Sequence, residues 1–247
     1  MNGKRRLVVV GGRPHQGKTT VMLNIIKGAI ENGMVPGVFS LEQTATQLKQ
    51  GMVDITSGVS IQPGETPTKQ KLIRIRDAIQ SMSKWKWRIA DEDRMTIDRI
   101  CAKARILKAR HGCNLIVVDY AQIVAPNIHV SDMRMGLCEI TGKLKALSKE
   151  LGLTVILLSQ LNRTLPRTNP NTGKPIYGRP SLSGLKESAS IESDADVVVL
   201  IHRELEDEDE SDEVEMDLII AKNRQTGQLI TIPCKFDKTN RRITERP

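Results

Sequence analysis

The stretch GGRPHQGKTT, residues 11–20, follows the apolar run Leu7–Val10 (LVVV) and precedes VMLNIIKGAI, residues 21–30, whose pattern is helical. Gly12, four further residues and then Gly17-Lys18-Thr19 fit the phosphate-cradle spacing in full. The predicted arrangement is a buried strand over 7–10, a tight turn, and a helix opening near Lys18 or Thr19. The glycines let backbone N–H groups turn inward on an oxyanion at the positive end of that helix. The cradle is expected to comprise Gly12, Arg13, Pro14, His15, Gln16, Gly17, Lys18, Thr19 and Thr20. Lys18 reaches the β- and γ-phosphates of a nucleotide, and the Thr19 hydroxyl ligates Mg2+.

The rest of the chain alternates short apolar runs with amphipathic stretches. Strands are predicted at 7–10, 38–41, 87–90, 115–119, 154–159, 197–202, 218–221 and 229–236. Several are continuous Val/Ile/Leu runs, the pattern of strands covered on both faces of a mostly parallel sheet. TIDRICAKARILKARHG places Ile97, Ile100, Ala104 and Leu107 on one helical face, and LCEITGKLKALSKELG stops at Gly152. LITIPCKF and RRIT, separated by DKTN, read as an antiparallel hairpin at the sheet edge, and 51–68 as a loop with a short helix. Alternating strand and helix over 247 residues argues one doubly wound α/β domain spanning 1–247.

Composition narrows the class. The hydrophobic share of 39% supports a core filled by Val, Ile, Leu and Met, since aromatics are only 2%. No apolar run approaches the ~18 residues of a membrane span, and residues 1–12 run into the cradle without the n-region and h-region pattern, so a secretory leader is not expected. Cys101, Cys113, Cys138 and Cys234 lack metal-ligand spacing and read as reduced thiols of a cytoplasmic protein. Net charge is +8, and it is unevenly spread. Between 162 and 186 the only charges are positive (Arg163, Arg167, Lys174, Arg179, Lys186), which suits a nucleic-acid loop or plain basic surface. The acidic run 204–217, ELEDEDESDEVEMD, reads as a solvated or partner-facing loop.

Turnover needs more than a cradle. Asp119 ends the apolar strand LIVVD, where ligands of open α/β sheets bind. Alone it fits a helix cap as well as a metal ligand; beside the cradle it reads as the carboxylate that supports Mg2+. Glu42 ends VFSLE and is either a general base for the attacking water or a surface glutamate opening a helix. Gln160 emerges at the end of VILLSQ, as a γ-phosphate contact or an ordinary polar terminus.

In this order after RPHQGKTT come FSLE, IVVDYAQIV, VILLSQLNR, LKESASIESDADVVVLIHRE and IIAKNRQTG. The set resembles the C-terminal motor domain of the DnaB-type replicative helicases, a RecA-like P-loop family, over about residues 5–236. The resemblance implies an ATP- and Mg2+-dependent DNA helicase working as a hexameric ring on single-stranded DNA, with ATP at subunit interfaces and with loader and primase as partners. It implies Glu42 as the water-activating base, Gln160 as γ-phosphate sensor, and Lys222 and Arg224 of KNR as a pair reaching the neighbouring subunit's nucleotide. It also implies that GLKESASIES lines the DNA channel, with Arg179, Lys186, Glu187 and Ala189 as nucleic-acid residues. Here Lys186 stands where the family has arginine, Gly184 where it has aspartate and Ala189 where it has glycine. The family carries an N-terminal helical collar before this region; the sequence starts about five residues before its first strand and is expected to be an excised motor domain or a collarless, for instance phage-encoded, form. Two alternatives stand beside this reading: another RecA-like ATPase of recombinase or regulatory type, and a nucleotide-dependent DNA-binding scaffold.

Overall fold

All five residues of the strand Leu115–Asp119 (β4) are buried, and its neighbours explain why. The computed structural model describes residues 5–92, 94–122, 124, 133–161, 167–168, 175–176, 178–182, 184, 189–203 and 212–246. Within them, β4 lies between Pro36–Ser40 (β2) and Thr154–Gln160 (β5), parallel to both. Beyond β5 come Arg6–Gly12 (β1) and Val197–His202 (β8), also parallel, and Arg88–Ala90 (β3) closes the other edge beside β2. Side chains alternate between two apolar layers, as strand geometry requires. Leu115 and Val117 face the layer that includes Val10, Val38 and Leu158, whereas Ile116 and Val118 face the layer that includes Leu7, Val9 and Leu157. Covering both faces is what makes these strands continuous apolar runs rather than alternating ones.

Helices supply the two covers. Lys18–Glu31 (α1) and Ala45–Ser57 (α2) pack Val21, Met22, Ile26, Leu48 and Met52 on one face. Ile97–His111 (α4) and Met133–Leu151 (α5) pack Ile97, Ile100, Ala104, Leu144 and Leu147 on the other. Lys69–Met82 (α3) is more peripheral and buries Ala78. Among the described residues no helix is long and apolar enough to cross a membrane. The predicted loop over 51–68 is corrected here, because α2 continues to Ser57. Thr44 accepts from the Gln47 backbone and Gln47 reaches back to the Thr44 backbone, a capping box that starts the helix six residues before Gly51 can interrupt it.

On the far side of β8 the sheet turns antiparallel. Glu213–Asn223 (β9), Ile230–Asp237 (β10) and Arg242–Glu245 (β11) follow in order, so the predicted terminal hairpin is present. The acidic run was expected to be all loop; residues 213–217 are instead the first part of β9, paired with 233–237 of β10, while 204–211 lie outside the described residues. Alternation decides this: Met216 is buried at 1% exposure whereas Glu213 and Glu215 face outward. The hairpin is stitched to α1 through Asn24, whose amide donates to the Arg241 carbonyl at 2.9 Å and accepts from the Ile243 N–H. Two short strands unforeseen in the basic stretch, Arg167–Thr168 (β6) and Pro175–Ile176 (β7), pair antiparallel. A last short helix, Ala189–Asp194 (α6), leads into β8.

One ion pair ties this edge to the core. The Asp196 carboxylate accepts from the Leu7 N–H at 2.7 Å and pairs with Lys145 of α5, both side chains being largely buried. Asp196→Ala strands the Lys145 ammonium and leaves a strand N–H unmatched. It is expected to cost about 2–3 kcal/mol in urea denaturation, with Lys145→Ala costing a similar amount.

Candidate active site

The site grows from how β1 ends. Gly17 sits at φ 85°, in the left-handed region, and caps α1. At Gly12 a Cβ would come within 2.9 Å of the Lys18 side chain, so the cradle closes only around a glycine. The helices α2, α3 and α4 each have a threonine cap that accepts a first-turn N–H, whereas α1 has no side-chain cap hydrogen bond. Its first-turn amides and positive dipole end are therefore available to an anion. His15, at φ 61°, forms the crest of the loop and is held by the Arg203 guanidinium, which donates to its carbonyl at 3.0 Å.

Neighbouring strands deliver the other groups to the same edge. Register sets Gly12 beside Gln160 and Ser40 beside Asp119. Ser40 Oγ donates to the Gln43 carbonyl at 2.6 Å and the Leu41 N–H donates to the Asp119 carbonyl, a turn that brings Glu42 to the opening. The result is a cavity of about 640 Å³ whose walls include Lys18, Thr19, Glu42, Gln160, Arg203 and Phe236. Its size suits a nucleotide-sized ligand.

The electrostatics behind Thr19 are unbalanced. Asp119 is 1% exposed, and burial pushes its carboxyl up to about 6, with Glu42 adding to the rise and Lys18 and Thr19 opposing it. Burial also pushes the Lys18 ammonium down, against the pull of Asp119 and Glu42. Thr19 Oγ1 donates to Asp119 Oδ2 at 3.5 Å, and the buried Oδ1 has no hydrogen-bond partner. A hydroxyl and an under-satisfied carboxylate oxygen form a hard-oxygen pair that fits Mg2+, which takes few protein ligands when phosphates supply the rest. Among the described residues no cluster of three or more His, Cys, Asp or Glu could hold a metal by itself.

Not every expected cradle residue faces the cavity with its side chain. The Gln16 amide is fully buried and donates to the Arg203 carbonyl, and the Arg13 guanidinium donates to the Gly178 carbonyl at 2.8 Å. Pro14, His15 and Thr20 line the opening. Lys222 and Arg224 lie elsewhere. Lys222 pairs in register with Val198, which pairs with Val9, and the Arg224 N–H reaches the Asp196 carbonyl. They therefore sit three or more residues below Gly12, roughly 10–16 Å down the strands at the opposite edge. Their side chains donate to the Glu192 and Ser193 carbonyls at the end of α6. Arg179 pairs with Asp217 of β9. Lys186 and Glu187 lie outside the described residues, and Ala189 opens α6.

Sequence reading missed three contributors. Arg203 follows β8 at the carboxyl edge, and its guanidinium lies 5.4 Å from the centre of the Phe236 ring. The sheet-edge rule that found Asp119 and Gln160 would have found Arg203; Phe236 enters through an antiparallel strand, which that rule does not cover. Gln122 is the third. Its amide accepts from the Gln160 N–H and donates to the Gln160 carbonyl and Ser159 hydroxyl, fixing the end of β5.

The family model described as DnaB-like helicase C terminal domain matches residues 2–245. The chain is 34% identical over 212 residues to a replicative DNA helicase DnaB of Rickettsia bellii, covering 80% of this chain and 41% of that one. The chain spans about half the length, or less, of the curated relatives it matches. A solved ATPase domain superimposes with a TM-score of 0.84 at 26% identity, covering 98% of this chain and 85% of that one. A DnaB-like replicative helicase solved in a study of its interactions with primase gives 0.85 at 26% identity, covering 98% and 59%.

The raised Asp119 value has a testable sign. Below its ordinary 3.8 the carboxyl is neutral folded or unfolded; between 3.8 and about 6 only the unfolded chain ionises; above about 6 the fold bears the full cost of a buried charge. Asp119→Asn is therefore expected to be more stable than the parent at pH 8, by roughly 2 kcal/mol, with the gap closing as pH falls towards 4. Urea melts across that range measure it, and a gap independent of pH would refute the assignment.

Proposed function

Because the chain belongs to the DnaB-like helicase C-terminal domain family, a RecA-like ATPase fold, we propose that it is the motor of a replicative DNA helicase that hydrolyses ATP to move along single-stranded DNA. The observation that carries this reading is the division of groups between the two edges of the sheet. Lys18, Thr19, Glu42 and Gln160 line one cavity, with Asp119 buried behind Thr19, while Lys222 and Arg224 stand well down the strands towards the opposite edge, out of reach of their own nucleotide.

In this reading the α1 amides and Lys18 hold the phosphates, and Gln160, braced by Gln122, contacts the γ-phosphate. Glu42 takes the proton of the attacking water. Thr19 and Asp119 are the residues that hold Mg2+, which when bound offsets charge on the phosphate oxygens. Lys222 and Arg224 of one copy meet the nucleotide of the next, so that sites form between copies in a ring, six in number by family resemblance. A cation supplied in this way steadies charge that develops on the transferred phosphoryl group. The basic segment around Arg179, Lys186, Glu187 and Ala189 grips the DNA backbone. Primase and a loader complete the partners, the former supported by the solved relative whose interactions with primase were studied. A motor of this kind works in the cytoplasm, where the bacterial chromosome lies.

ATP hydrolysis measured against protein concentration, with and without single-stranded DNA, tests the proposal. The rate is expected to rise with DNA and more than linearly with protein, and Arg224→Ala is expected to lower kcat by roughly 10³-fold. A rate linear in protein and indifferent to DNA and to the substitution would overturn it.

A further inference from the structure

Arg13 belongs to the phosphate cradle, yet its side chain leaves it. Arg13 is 6% exposed, and its guanidinium donates at 2.8 Å to the carbonyl of Gly178, 165 residues further along the chain. The carbonyl of the same residue accepts from Lys18 Nζ at 3.2 Å. One residue thus touches the cation of the cradle with its backbone and a distant segment with its side chain.

The segment it touches is held at several points. Arg179 pairs with Asp217 of β9, Pro180 is buried, Leu182 packs against the core, and the Gly184 N–H donates to the Ser181 carbonyl. Gly178 directly precedes Arg179, one of the residues read above as the DNA grip, so a shift at Gly178 reaches that residue through a single peptide bond.

We propose that the Arg13 side chain is the positioning residue that couples nucleotide binding to the affinity for single-stranded DNA, by tying the cradle to the segment 178–184. The inference rests on the functional reading above and names the element through which its two ligands communicate. A phosphate in the cradle competes with the Arg13 carbonyl for the Lys18 ammonium, and it is the stronger acceptor. The Arg13 peptide then shifts, and the planar guanidinium carries that shift to Gly178 because its donors have a fixed direction. Coupling between two sites is reciprocal, so DNA strengthens nucleotide binding by the same factor.

The test is fluorescence anisotropy of a labelled oligothymidylate, with and without a non-hydrolysable ATP analogue and Mg2+, on the full chain and on Arg13→Ala and Arg13→Lys. The quantity read is the ratio of the two DNA dissociation constants. Wild type is expected to show a ratio of about 10, within the usual span of such couplings. Arg13→Ala is expected to bring it to about one, whatever happens to either constant alone. Arg13→Lys, which keeps the charge but not the fork, is expected to lose most of the ratio, and it decides the matter if Arg13→Ala does not fold. A residue that merely supports the fold would weaken both constants together and leave the ratio intact; that result in a folded variant overturns the proposal. A wild-type ratio of one with DNA bound overturns it and leaves the motor reading standing. Wild type that binds no single-stranded DNA overturns both.

Discussion

A carboxylate kept out of water at the end of the central strand is the constraint on which the site depends. Asp119 is enclosed by β2, β5 and the start of α1, and its charge is only partly answered by Thr19 and Lys18. An ion so placed is costly unless it gains a cation or loses its charge. The fold tolerates that cost at the one edge where a phosphate loop, an ammonium and two further polar termini converge. The same low-polarity surroundings that raise Asp119 and lower Lys18 strengthen the attraction of both for a charged ligand. Stability is thus exchanged locally for readiness to bind.

The sheet assigns different work to its two edges. Parallel strands end near one edge, so β1 and β5 bring Gly12 level with Gln160 and β2 and β4 bring Ser40 level with Asp119 two residues earlier, without any long-range coincidence. The antiparallel return of β9 runs the other way. Its first residues flank the cradle, where a Met216 methyl lies 3.4 Å from a Cβ built on Gly17, and its last residues carry Lys222 and Arg224 to the far edge. One strand therefore borders the chain's own site and presents its cations away from it.

Between these edges, the carbonyls at the end of α6 receive both Lys222 and Arg224. Basic groups suit the negative end of a helix, and the placement holds two long side chains in defined directions. Burial and the neighbouring Arg224 lower the Lys222 ammonium, the signature of cations crowded together in partial shelter. The helix that holds them leads directly into β8, the strand beside β1, so these cations and the cradle are joined by short lengths of structure.

The cradle, the parallel strands and three strand-terminal polar residues were legible in the linear chain because each depends on neighbours in sequence: glycine spacing, apolar runs, and the polar residue where a run stops. α2 was partly missed for a local reason, since glycine and proline composition over 51–68 masked a capping box that lay just before it. The start of β9 was missed because its alternation is hidden in acidic residues and shows only once Met216 and Phe236 are seen buried together. By itself the sequence determined the phosphate chemistry and the α/β class. Tertiary structure alone decided that Arg203 and Phe236 join the cavity, that Gln122 braces Gln160, that Arg13 turns its side chain away to Gly178, and that Lys222 and Arg224 lie away from the cavity against the end of α6. These depend on strand register and on contacts between residues far apart in the chain, which a linear pattern does not encode.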